Sequence, residues 1–196
     1  MFLKLENRPC LVVGAGRVGE RKLKSLLRVG ARVTVVAPRG TAGVQRLAKS
    51  AAILWRRRSF SARDLNGMFL VVAATSSNTV NTKVFEHARR RGILCNAVDD
   101  PSHCDFFYPA VVRRGILQIA ISTGGSSPEL ASRLRKELET CYGPEYGPWL
   151  DDLGQRRKRL LLITPAEKRK VLLRRLASRR AFERFLGQAK SGLSDT

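Results

Sequence analysis

Apolar and polar positions alternate along the chain in two rhythms. "PCLVVGAG" (9–16) reads as a short buried strand running into a glycine turn. "RVGERKLKSLLRVG" (17–30) reads as a helix with Val18, Leu23, Leu26 and Leu27 on one face and Gly30 as its stop. "ARVTVVAP" predicts a second strand, residues 41–50 a helix, and "AILW" (52–55) a short third strand. "FLVVAAT" (69–75) is apolar throughout, as expected of a strand covered on both faces. "SNTVNTKVFEHARRRG" predicts a helix ending at Gly92, and "ILCNAVD" a fifth strand ending at Asp99. Strands alternating with helices predict an α/β fold, a Rossmann-like open parallel sheet.

After Asp99 the pattern changes. "FFYPAVVRRGILQIAIST" (106–123) predicts two strands joined at Arg114-Gly115, a hairpin. "SSPELASRLRKELET" then opens a helix that Ser126 or Ser127 can cap, with Pro128 in the first turn and Glu129 complementing the N-terminus. "CYGPEYGPW" (141–149) is a break, and everything beyond it reads as helix. "TPAEKRKVLLRRL" predicts a Thr164–Glu167 capping box with Pro165 at the first position. The architecture expected is an open sheet, then a hairpin and helix, then a small C-terminal helical domain.

The 196 residues suffice for one full domain and a small extra one. No apolar run approaches the ~18 residues of a membrane span, and the N-terminus lacks the features of a signal peptide. A cytoplasmic protein without a membrane partner is expected. Cys10, Cys95, Cys104 and Cys141 show no CxxC pairing and suggest neither a disulfide framework nor a zinc site. Charge alters the picture more. The 37 Lys+Arg against 16 Asp+Glu give a net +21, which favours a polyanionic partner or else marks a solvated basic surface.

"GAGRVG" spaces Gly14, Gly16 and Gly19 as GxGxxG, after a strand and at the opening of a helix. The first glycine permits the tight turn, the second lets backbone approach a pyrophosphate, and the third lets helix and strand pack closely. The helix N-terminus adds free N–H groups. An NAD site usually has an acidic residue at the end of the second strand. Here that strand ends in Pro38 and Arg39. Arg39 could face a 2′-phosphate, which would suggest NADP, or lie along adenine or ribose.

"NAVDDPSHCDFFYPA" (96–110) sets Asp99 and Asp100 side by side at the end of the fifth strand. Ligands of open parallel sheets bind beyond the carboxyl ends of the strands, so Asp99 could serve there as a general base. Alternatively, both aspartates cap the turn before Pro101. His103 is a rival base. "DDPSHCD" crowds its acidic, His and Cys residues into one loop and is not read as a metal site.

The segments 10–38, 71–101 and 106–139 together resemble the precorrin-2 dehydrogenase family, the dehydrogenase module of siroheme synthases. The motifs that carry the resemblance are VVGAG(x)VGERK, AAT(x)3TVN, N(x)VDDP and STGG(x)SP, in unbroken order over roughly residues 1–150. The resemblance implies NAD-dependent oxidation of precorrin-2, a polycarboxylate tetrapyrrole, to sirohydrochlorin. It implies Asp99 as the catalytic residue. It puts the cofactor on Gly14, Gly16, Arg17, Val18, Gly19, Pro38, Arg39 and Thr75, and no metal site on the protein. "STGGSSP" offers Ser122, Thr123, Gly124 and Ser126 to the carboxylates of the substrate, or is simply a helix cap. The family pairs subunits, which implies a homodimer. The domains implied are a Rossmann NAD-binding domain at 1–112, a dimerisation segment at 113–146 and a basic helical domain at 147–196. Some members also insert ferrous iron, so iron is a candidate co-substrate. An anionic tetrapyrrole also suits the basic charge.

Two other readings compete. A nucleotide-sensing Rossmann module of the potassium-channel regulatory type would share "GAGRVG" but should continue βα after the fifth strand. A nucleic-acid binder could use the basic helices at 156–190, but their only aromatics are Phe182 and Phe185, few for stacking on bases.

Overall fold

The computed structural model of the chain describes residues 2–191. These form two compact units that divide between Phe107 and Tyr108.

The first unit is built on a five-stranded parallel sheet. Its strands are β1 (Pro9–Val13), β2 (Arg32–Val36), β3 (Leu54–Arg56), β4 (Leu70–Ala73) and β5 (Leu94–Ala97). The order is β3-β2-β1-β4-β5, the doubly wound arrangement in which the chain turns to the other side of β1 after β3. Three helices connect the strands: α1 (Arg17–Arg28), α2 (Ala42–Lys49) and α3 (Asn78–Arg89). β1 and β4 are apolar without alternation because both faces are covered, and Leu11, Val12, Val71, Val72 and Cys95 are fully buried. Leu23 and Leu26 of α1 are buried as the periodicity predicts, while Val18 and Leu27 are only half-buried. β3 starts later than expected. Its ladder to β2 runs Thr34↔Leu54 to Val36↔Arg56, and Ile53, just ahead of it, is buried. Burial of the Cys10 and Cys95 thiols pushes them up to about 11 and about 12, as inert packing groups.

The second unit opens with the antiparallel hairpin β6 (Ala110–Arg114) and β7 (Leu117–Ile121), turned at Gly115 with φ 57°. Four helices follow: α4 (Pro128–Cys141), α5 (Tyr146–Ile163), α6 (Ala166–Leu176) and α7 (Arg179–Ser191). Ser127, not Ser126, caps α4 by accepting from the Leu130 N–H at 3.2 Å. The Thr164–Glu167 box does not form. Pro165 itself stands at the cap of α6, Thr164 closes α5, and the Thr164 carbonyl is taken by Arg169 at 2.8 Å. No described helix is long and apolar enough to cross a membrane.

Candidate functional site

A pocket of about 540 Å³ opens at the carboxyl ends of β1, β2 and β4. Gly14, Gly16, Pro38, Arg39 and Thr75 all line it. Arg17, Val18 and Gly19 form the first turn of α1 and are not among its lining residues.

Each glycine of the turn is required for a different reason. Gly14 has φ 101°, and a β-carbon there would overlap the carbonyl of Ala74 at the end of β4. A β-carbon on Gly19 would overlap the carbonyl of Gly14, so α1 can start this close to β1 only without one. Gly16 is different: a β-carbon there meets nothing within 4 Å and would project into open space. Gly16 is also the N-cap of α1 and provides no side-chain cap, so the first-turn N–H groups are left for a ligand. That geometry fits a dinucleotide pyrophosphate.

On the β4 side, buried Asn81 of α3 clamps the lining residue Thr75. Its Oδ1 accepts from the Thr75 N–H at 3.1 Å and hydroxyl at 2.8 Å, and its Nδ2 donates to the Thr75 carbonyl at 3.2 Å. The TVN motif contains Asn81, but a motif gives no role; the clamp needed the fold. Sequence reasoning also missed Arg58 and Lys83, which line the pocket. Arg58 lay inside an unremarkable basic run, and only the pairing of β3 with β2 brings it to the pocket.

The two aspartates are treated differently by the chain. Asp99 is exposed, with φ 62°, a left-handed conformation that Asp tolerates better than most residues. The chain is therefore a turn at Asp99, not the extended continuation of β5 that the sequence suggested. Asp100 is tied into that turn. It accepts from the Ser102 hydroxyl at 2.6 Å and pairs with His103 Nδ1 at 2.5 Å, and these two partners lower its carboxyl below the ordinary range. His103, the rival base, is thus committed to Asp100 and packs edge-on against Phe85. The loop is fastened to β5 behind them: Asp105 accepts from the Cys95 N–H at 2.9 Å, and buried Asn96 donates to the Phe106 carbonyl at 2.8 Å. Lys22 of α1 lies within electrostatic reach of Asp99. Burial pushes its ammonium down to about 8, the charge of Arg21 adds to that, and Cys104 and Asp99 act in the opposite sense. Among the described residues no cluster of His, Cys, Asp or Glu could hold a metal ion.

The STGG(x)SP turn belongs to the second unit. Thr123 closes it, accepting from the Ser127 N–H at 3.2 Å and donating to the Ser127 carbonyl at 3.0 Å. Ser122, Gly124 and Ser126 are exposed, and Gly124 and Gly125 have φ 63° and 87°.

Comparison with known proteins agrees with this geometry. The NAD(P)-binding family matches residues 1–110, and the sirohaem biosynthesis protein central family matches residues 114–140. The chain is 46% identical over 147 residues to a siroheme synthase of Methylococcus capsulatus, covering 75% of this chain and 31% of that protein. It is 38% identical over 193 residues to siroheme synthase 3 of Aeromonas hydrophila, covering 98% of this chain and 39% of that protein. The chain thus spans between 31% and 39% of the length of these relatives. Among solved structures, the precorrin-2 dehydrogenase SirC matches with a TM-score of 0.79 and 29% identity, over 97% of this chain and 98% of SirC.

Proposed function

The chain belongs to the precorrin-2 dehydrogenase family, which includes the dehydrogenase modules of siroheme synthases, and on that premise we propose that it oxidises precorrin-2 to sirohydrochlorin with NAD. The observation that carries the reading is a juxtaposition within the first unit. One edge of the parallel sheet bears both a dinucleotide-sized pocket at β1, β2 and β4 and an exposed carboxylate, Asp99, just beyond β5.

NAD supplies the hydride acceptor when bound. Gly14 and Gly16 leave room for its pyrophosphate, and the uncapped first turn of α1, Arg17 to Gly19, donates N–H groups to it. Pro38 and Arg39 border the adenosine half, and Thr75, held by Asn81, borders the other. Asp99 accepts a proton from the macrocycle. Lys22 of α1 lies within electrostatic reach of it. Asp100 holds the turn instead of reacting, since its carboxylate is spent on Ser102 and His103. Ser122, Thr123, Gly124 and Ser126 receive carboxylates of the substrate.

Three finer statements extend the reading. The enzyme is a homodimer joined through residues 113–146. Ferrous iron is a second substrate, inserted into sirohydrochlorin. The setting is the cytoplasm, in keeping with the four free cysteines. An anaerobic assay tests the main reading and the iron step together. Precorrin-2 with NAD should yield the sirohydrochlorin spectrum and NADH in equal amounts, and ferrous iron should then convert that spectrum to the sirohaem one. No NADH with authentic precorrin-2 would contradict the dehydrogenase reading.

A further inference from the structure

The buried face of α3 begins on a polar residue. Its buried positions are Asn81, Val84, Phe85 and Ala88, and the last three join the apolar core of the first unit. Asn81 is only 4% exposed. A buried amide costs stability unless its hydrogen bonds are made. Asn81 makes three, and all go to one residue. Its Oδ1 takes both the N–H and the hydroxyl of Thr75, and its Nδ2 gives to the Thr75 carbonyl. The Thr75 hydroxyl also accepts from the Ser77 N–H at 3.2 Å. Every polar group of Thr75 is therefore spent on α3 and the turn that leads into it. An apolar side chain at position 81 would fill the core equally well but would hold none of these groups.

Thr75 in turn touches the glycine turn. A β-carbon on Gly14 would come within 2.9 Å of the Thr75 nitrogen, in addition to its overlap with the Ala74 carbonyl. Neighbouring strands fix both partners of this contact. The Gly14 N–H donates to the Val36 carbonyl at 3.0 Å, and the Ala74 N–H donates to the Val13 carbonyl at 2.8 Å. The first turn of α1 rests on the same place, since a β-carbon on Gly19 would overlap the Gly14 carbonyl. Asn81 thus holds Thr75, Thr75 abuts Gly14, and Gly14 abuts the start of α1. Contacts this close transmit a shift instead of absorbing it. The N–H groups at the start of α1 have to meet a pyrophosphate at hydrogen-bond distance and angle, and such bonds weaken steeply when misaligned.

We propose that Asn81 is a positioning residue for the cofactor. Through Thr75 it fixes the turn between β4 and α3 against the glycine turn, and so keeps the N–H groups of α1 aimed at the pyrophosphate. Asn81 is not itself among the residues that line the pocket. The proposal rests on the dinucleotide reading and adds to it a residue that acts without touching the ligand.

Calorimetric titration with NAD and steady-state kinetics with precorrin-2 test this on the natural chain, Asn81→Ala and Asn81→Asp. Circular dichroism checks that each variant folds. Asn81→Asp keeps the shape and both acceptor positions and loses only the bond to the Thr75 carbonyl, so it serves even if Asn81→Ala does not fold. The Kd and KM for NAD should rise about tenfold in Asn81→Ala and about threefold or more in Asn81→Asp, as expected for lost buried hydrogen bonds. The kcat at saturating NAD should stay within about threefold of the natural value, the split expected when only cofactor binding is weakened. A residue that merely packs the core would lower the urea midpoint and leave NAD affinity unchanged. A folded variant with NAD affinity within about twofold of natural therefore overturns the proposal, and so does a loss confined to kcat. If the natural chain binds no NAD, the dinucleotide reading falls and this proposal falls with it.

Discussion

Asp99 and Asp100 are neighbours in sequence and opposites in surroundings. Asp99 ends exposed in a left-handed turn, while Asp100 is bound by Ser102 and His103. The sequence offered two roles, base or cap, for the pair; the fold gives the cap to Asp100. The DDP motif was legible, but this division was not, because it depends on where the turn leaves the plane of β5. The glycines were legible in kind, since GxGxxG after a strand has few other uses, yet only the coordinates separate the crowded Gly14 and Gly19 from the open Gly16. Two variants exploit that difference. Gly16→Asp should fold, because its side chain meets nothing, and should abolish NAD binding by bringing bulk and negative charge to the pyrophosphate position. Gly19→Ala should instead lose about 1–3 kcal/mol of stability through the clash with the Gly14 carbonyl. Titration of NAD and urea unfolding of both variants check this pair. A folded Gly16→Asp chain with unchanged NAD affinity would contradict the site.

α1, with its strong period, and β4, apolar throughout, were readable because one face of the first and both faces of the second are buried. The exceptions have local causes. β3 is short and pairs only on one side, so its start is set by register with β2 and not by its own apolar run. The α6 cap failed because Thr164 already terminates α5. Nothing in the sequence pointed to the 61–65 turn, yet it organises the β3 edge through Asp64. Burial alone would raise the Asp64 carboxyl. Hydrogen bonds from Arg58, the Ser61 N–H and Arg56 outweigh that and lower it from 3.8 to about 2. A depressed carboxyl contributes stability that is present above its ordinary value and is lost as pH falls through the folded one. Between pH 5 and pH 2, Asp64 should therefore give up about 2 kcal/mol. Asp64→Asn should be less stable than the natural chain at pH 5, and the gap should narrow towards pH 2. An equal gap at both pH values, by urea unfolding, would contradict this ion pair's role.

At the scale of the molecule, the chain divides its work between a parallel-sheet unit that carries the cofactor pocket and Asp99 and a basic second unit. Residues 149–196 hold 13 Lys+Arg and 5 Asp+Glu. The net +21 was visible at once but did not specify an anion; the motifs and the pocket are what support the proposed dinucleotide and polycarboxylate. The hairpin of the second unit is only two-stranded, a form that is marginal in isolation. It also bears Ile116 at 71% exposure. Both features suit pairing with a second copy, and sedimentation should give twice the chain mass; a monomer at micromolar concentration would contradict the dimer. The central claim, that Asp99 is the base of a precorrin-2 dehydrogenase, is tested most directly by anaerobic single-turnover oxidation of precorrin-2 by the natural chain, Asp99→Asn and Asp100→Asn, with NAD affinity measured alongside. Asp99→Asn should lose about 10²–10⁴ in rate while still binding NAD, and Asp100→Asn should lose much less. Near-natural turnover by Asp99→Asn, or greater damage in Asp100→Asn, would contradict the account.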